Sequence, residues 1–279
     1  MRPLLTSSFR YATVWALVAG GYSVLAVLKE ASAYSAYADV PASIEAILTF
    51  ALGLLLALRT NVAHQRWWEA RTLWGTLVNA SRNLAVKAKT LVTAPDSEHA
   101  ELGEQISRFA ETLRESLERP VTAAARTGGK GEPESHEASR VAGRVYAILE
   151  RWRREHHLTT ETVWMLDREA RQLLEVCGAC ERIRRTLPPP SYRKLVLASV
   201  VLYIVSLPWG LAETFGWWTV PVVALATLLS VAVERTAHDV EQPFGESEDD
   251  LDLAAICATI RGDMSQILGA NRLDDAQIR

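Results

Sequence analysis

Cys177 and Cys180 form a Cys-Gly-Ala-Cys arrangement, the spacing at which one thiolate can attack its neighbour and support disulfide exchange. Redox use would need a strand feeding the helix that carries the motif, and zinc would need more ligands close by. The flanking residues, RQLLEVCGACERIRR, read as helix and supply neither, so the pair is expected to be packing thiols. His156 and His157 lie among charged residues on a surface helix and read as solvated side chains, not as metal ligands. His64 is more suggestive, because an imidazole titrating near neutral pH just past an apolar run could alter the potential of an ion path; the plainer expectation is that it faces away from one. No Ser-His-Asp order, phosphate loop or supported metal-ligand cluster is present, so an enzyme is not expected.

The elements that would position these groups are helices, several of them strongly apolar. The 279 residues carry 30 Lys and Arg against 33 Asp and Glu, a net charge of -3, with 49% hydrophobic residues. This near-neutral average hides segregation: almost uncharged runs flank a middle third dense in Arg, Glu and Lys, a pattern of membrane proteins. A nucleic-acid partner is not expected, no cofactor is called for, and three cysteines are too few for a disulfide framework.

Four apolar runs are read as membrane spans, at residues 11–28, 44–58, 195–211 and 217–233. The first follows Arg10 and could pass for a signal peptide, but it lacks a small-residue cleavage site. The last three are short for spans, which leaves buried core helices as the alternative. Arg2 and Arg10 precede the first run, Arg59, Arg66 and Arg71 follow the second, Arg193 and Lys194 precede the third, and Arg235 follows the fourth. Lys29 is the one cation on the other side, so the bias of positive charge toward the cytosol puts both termini inside a plasma (inner) membrane. Trp15, Trp209, Trp217 and Trp218 suit the membrane boundary.

The second run passes without a breaker into a cationic, tryptophan-rich segment, RTNVAHQRWWEARTLWGTLVNASRN from Arg59. One helix over residues 44–92 is therefore expected, about 70 Å long at about 1.5 Å per residue, against a hydrocarbon layer of about 30 Å. Cytosolic helices are expected at about 97–126, started by Asp96 and Glu98 after Pro95, and at about 139–180. Pro188, Pro189 and Pro190 set the direction of the third span, Pro243 and Gly245 make a turn, and residues 253–268 form a last helix before a loose tail, 269–279. The cytosolic helical part covers 59–194 and 234–268, and no strand pattern of useful length occurs. The expected fold is an all-α membrane protein in which four spanning helices continue into a cytosolic helical bundle, the whole chain forming one domain.

RWWEARTLWGTLVNASRN from Arg66, GACERIR from Gly178, LPPPSYR from Leu187, GLAETFGWWTVP from Gly210 and DVEQPFG from Asp239 resemble the bacterial branch of the bestrophin family. The likeness runs in order over nearly the whole chain and is weakest at residues 92–145. It implies a homopentameric ion channel in membrane lipid whose second span lines a central pore. Matched without gaps through the family motif Arg66, Trp67 and Trp68, the pore neck falls on Phe50, Leu54 and Leu58, with a cytosolic aperture at Ile183 and a structural turn at Pro243, Phe244 and Gly245. The i, i+4, i+8 spacing agrees, since it keeps the three neck residues on one helix face with about 40° of drift per step. Five copies would stack apolar rings that can block ions by dewetting. Animal relatives hold calcium in a clasp, which maps here to Asp239, Gln242, Ser247 and Asp250. Glutamine and serine at two of these positions remove charge, and calcium favours six to eight oxygens with several carboxylates. The acidic block 246–252 reads equally well as a solvated turn before a helix N-terminus.

A passive channel for small monovalent ions, chloride-like anions first and cations second, is the expected function. A coupled transporter fits less well, because the four runs contain no Asp, Lys or Arg and a single Glu, Glu45, at one end. A membrane scaffold presenting its cytosolic helices to partners is a further alternative.

Overall fold

The structure, a computed structural model, describes residues 7–32, 40–119, 137–186, 188–245 and 250–269. Among these residues every regular element is helical: α1 (Ser7–Glu30), α2 (Ala42–Leu91), α3 (Asp96–Glu118), α4 (Glu137–Glu155), α5 (Thr160–Arg185), α6 (Pro190–Phe215), a 3-10 turn (Gly216–Trp218), α7 (Thr219–Val240) and α8 (Leu253–Leu268). The chain forms two compact units. The first holds α1, α2 as far as Trp67, α6, the 3-10 turn and α7; the second holds α2 from Trp68 with α3, α4, α5 and α8.

Three helical stretches, Phe9–Glu30, Ser43–Leu91 and Pro190–Val240, are long and apolar enough to cross a bilayer. The third is a hairpin: Gly216, at φ 50, breaks it in a conformation that costs glycine little, and Val196 and Val200 of α6 meet Val231 of α7 in one cluster. The four apolar runs of the sequence thus lie on four helices.

Packing in the first unit is inverted relative to a soluble core. Small residues face inward on α1 (Ala12, Ala16, Ala19, Ser23, Ala26), whereas Leu17, Val18 and Leu25 are exposed. A Cβ on Gly20 would meet the Ala224 Cβ at 3.4 Å, so α1 and α7 approach closely, as spanning helices do when lipid tails compete for every large side chain. The Ser23 hydroxyl donates to the Gly20 carbonyl at 2.6 Å, and Trp209 Nε1 donates to the Tyr22 hydroxyl at 2.7 Å. In α6, Gly210 leaves the space occupied by the Glu45 carboxylate of α2, where a Cβ would overlap it. Pro189 caps α6 and Pro190 opens it, the position where a missing N–H costs nothing.

The second unit packs like a soluble bundle. Leu102, Ile106, Phe109 and Leu113 of α3, Val145, Ile148 and Trp152 of α4, and Ile260 and Met264 of α8 are buried. Their recurrence at three and four residues is the amphipathic pattern expected of helices facing a shared core. A Cβ on Gly103 would come within 3.3 Å of Leu268, so α3 and α8 also meet closely. The helix expected over 139–180 is in fact two. His157 takes a left-handed φ of 49 after α4, and Thr159 caps α5 by accepting the Thr162 N–H at 3.3 Å. Threonine favours such a cap over a helix interior, which is why the chain restarts there. α3 starts at Asp96 after Pro95 and ends at Glu118 with Arg119 as its cap; residues 120–126 of the expected helix lie outside the described residues.

Gly210→Ala is expected to expel the Glu45 carboxylate and lower stability by about 1–3 kcal/mol through overpacking, read as earlier unfolding of detergent-solubilised protein. Gly53→Ala, at a glycine with open space beside it, serves as the control that should leave unfolding within error.

Candidate functional site

The stretch of α2 inside the first unit carries two opposed faces. Leu52, Leu56, Arg59 and Ala63 are buried. Phe50, Leu54 and Leu58, the three expected neck residues, are 75%, 52% and 49% exposed on the other face, and Ile47 extends the stripe at 66%. Beyond Leu58 the same face turns polar: Asn61, His64 and Gln65 are exposed, within about 60° of Phe50 around the helix axis. His64 and Asn61 also line a shallow groove with Gly53, Ala57, Thr60 and Val233. An apolar stripe that gives way to amides and an imidazole is therefore built by helix periodicity alone.

What holds this face outward is a buried ion pair outside the sequence expectations. Arg59 Nη2 donates to Glu241 Oε2 at 2.5 Å, with side-chain exposures of 1% and 8%. Arg66 Nε donates to the Glu241 backbone carbonyl at 3.2 Å, so two arginines of α2 clasp one residue just past α7. Around them stand His238 and Arg193, whose side chains approach at 3.5 Å. The available signal was Arg59 itself, a lone cation ending an apolar run that needs a counter-charge if buried. The Arg66, Trp67 and Trp68 motif and the Glu69 that follows it are divided: Arg66 serves the first unit, while Glu69 accepts from Arg182 at 2.8 Å within the second. Trp67 is half-buried and Trp68 is 59% exposed.

Other expected sites fare differently. Ile183 is 3% exposed inside the second unit. Of the clasp positions, Asp239 pairs with Arg235 at 3.3 Å, Gln242 is exposed, Asp250 fills the space beside Gly245, and Ser247 lies outside the described residues. Pro243 is buried, and Phe244 and Gly245 are half-buried. Cys177, Cys180 and Cys257 are buried free thiols. Burial first, then the carboxylate of Glu181, pushes Cys177 up to about 12; burial likewise takes Cys180 and Cys257 to about 12.

A family model described as Bacterial/Fungal Bestrophin protein matches residues 11–266. The chain is 31% identical over 228 residues, 78% of its own length and 72% of the relative's, to a voltage-dependent anion channel-forming protein of Mesorhizobium japonicum. It is 32% identical over 235 residues, 79% of its length and 75% of the relative's, to the voltage-dependent anion channel-forming protein YneE of Escherichia coli. The fold superposes on a bacterial bestrophin homolog from Klebsiella pneumoniae with a TM-score of 0.82 at 22% identity, covering 94% of this chain and 98% of that one.

Glu241→Ala leaves Arg59 buried without its partner and is expected to cost about 3–5 kcal/mol, seen as loss of folded protein in a detergent melt. Paired replacement, Arg59→Met with Glu241→Leu, should recover most of it. The thiols give a separate check: at pH 8 the folded chain should leave all three cysteines unmodified by a water-soluble thiol reagent, and the denatured chain should react fully.

Proposed function

The chain belongs to the bacterial and fungal bestrophin family, and from that premise we propose that it is a homopentameric channel passing small anions through a neck made by Phe50, Leu54 and Leu58. The observation that carries this reading is the exposed apolar face of α2 set opposite a face locked by Arg59. Five such helices around an axis would give rings of Phe50, Leu54 and Leu58 with no charge to bind an ion. A ring of that kind stops flow by expelling water and conducts when the side chains turn or the helices part. Asn61, His64 and Gln65 would then line a wet vestibule on the cytosolic side, where amide N–H groups can solvate an anion that has left part of its hydration shell behind.

The whole chain, 1–279, works as one channel subunit in this reading, with its two compact units serving membrane and cytosolic roles. The Arg and Lys flanking the apolar runs support cytosolic termini in a plasma (inner) membrane. Calcium has no step here. Asp239 is engaged by Arg235, and Gln242 and Ser247 bring no carboxylate to a cation that wants several.

The anion names of the two relatives support chloride-like permeants. Reversal potential across a planar bilayer under a salt gradient tests this: a shift toward the chloride equilibrium value is expected, and a shift toward the cation value overturns anion selectivity. Leu54→Ala should raise single-channel open probability or conductance several-fold by widening and wetting the neck. No flux from either form contradicts the channel itself.

A further inference from the structure

The polar cluster where α3 begins and α4 ends belongs to none of the machinery above. Glu98, in the first turn of α3, points its Oε2 toward His156 Nε2 at 3.1 Å and accepts the Trp152 Nε1 hydrogen at 2.6 Å. Glu155, the last residue of α4, adds a carboxylate oxygen, and the three ligand atoms of Glu98, Glu155 and His156 lie within 4.8 Å of one another. From these residues we propose that the chain carries a divalent transition-metal site, suited to zinc, that staples the start of α3 to the end of α4.

Four observations support it. First, the donor set is one imidazole and two carboxylates, the mixed nitrogen and oxygen set that zinc accepts with water in a fourth position, whereas calcium and magnesium favour oxygen alone. Second, the Glu98 to His156 separation of 3.1 Å is close to the edge of a zinc tetrahedron, about 3.3 Å for bonds of about 2.0–2.1 Å. Glu155 closes the remaining gap by a rotamer change, which its exposure permits.

Third, the ligands are oriented by what stands behind them. Trp152 fixes one oxygen of Glu98, and its ring packs at 5.3 Å on the buried His99, so Glu98 is held as outer-shell partners hold a metal ligand. The His156 N–H closes the last turn of α4 on the Trp152 carbonyl at 2.9 Å, and the left-handed His157 then turns the chain away. Fourth, the neighbouring arginines carry their hydrogen bonds to other carboxylates, and Arg151 acts on Glu98 and Glu155 through its charge alone. Arg151 binds Glu101 at 2.5 Å, while Arg153 and Arg154 bind Glu150 at 2.7 Å and 2.8 Å. No arginine is hydrogen-bonded to Glu98 or Glu155 among the described residues.

The test uses full-length, tag-free protein in detergent, stripped with a chelator and titrated with Zn2+ by calorimetry and with Co2+ by visible absorption. One ion per subunit is expected, with the Co2+ bands of a four-coordinate nitrogen and oxygen site. His156→Ala and Glu155→Gln should each weaken binding about tenfold or more. His157→Asn, which suits the left-handed backbone, should leave it unchanged, as should millimolar calcium. Glu155 is exposed, so its variant folds even if the His156 variant does not. Binding that survives Glu155→Gln and His156→Ala, loss with His157→Asn, displacement by calcium, or no Co2+ bands would overturn the proposal.

Discussion

An arginine buried at the end of an apolar run has to be neutralised, and the pairing of Arg59 with Glu241 sets how α2 stands in the first unit. Isolated, a guanidinium at this depth would carry a desolvation cost of several kcal/mol. Paired, it ties α2 to the end of α7 at the level where the apolar stretch gives way to polar residues. The rotation of α2 follows. With Arg59 inward, Leu52, Leu56 and Ala63 must also turn inward, and Phe50, Leu54 and Leu58 must turn out. One charge pair therefore decides which greasy face the chain offers to its surroundings.

The two units solve the burial problem in opposite ways. In the first, lipid tails are as apolar as leucine, so burying large side chains gains little and close approach of small residues gains more. Gly20 of α1 against Ala224 of α7, with Ala12 and Ala16 buried along the same helix, shows the result. In the second, water drives Trp74, Phe109 and Trp152 inward, and charged side chains pair around that core, as Lys87 does with Glu169 at 2.6 Å. α2 takes part in both, which is why its composition changes within a single uninterrupted helix.

Helix periodicity made much of this legible. The unbroken α2 follows from the absence of Pro or Gly pairs between Ile44 and Leu91, the last helix from the spacing of Leu253, Cys257, Ile260 and Met264, and the shared face of Phe50, Leu54 and Leu58 from a step of four. Contacts distant in sequence were not legible. Arg59 and Glu241 are 182 positions apart, and Glu98 and His156 are 58 apart. His156 and His157 read as solvated because their charged neighbours are local, whereas the carboxylate that matters arrives from another helix. The break at His157 was hidden by the helical character of the residues on both sides.

For the proposed channel to work, the face of α2 that carries Leu54 must look into the ion path. The native thiols are buried and protonated, so a Leu54→Cys channel offers one reactive sulfur, and current through it in a planar bilayer can be followed while a charged, membrane-impermeant thiol reagent is added. Progressive block of that current is predicted, with no effect on the unsubstituted channel. Undiminished current, with the introduced sulfur modified only by a lipid-soluble reagent, would place this face against acyl chains and contradict the pore-lining role.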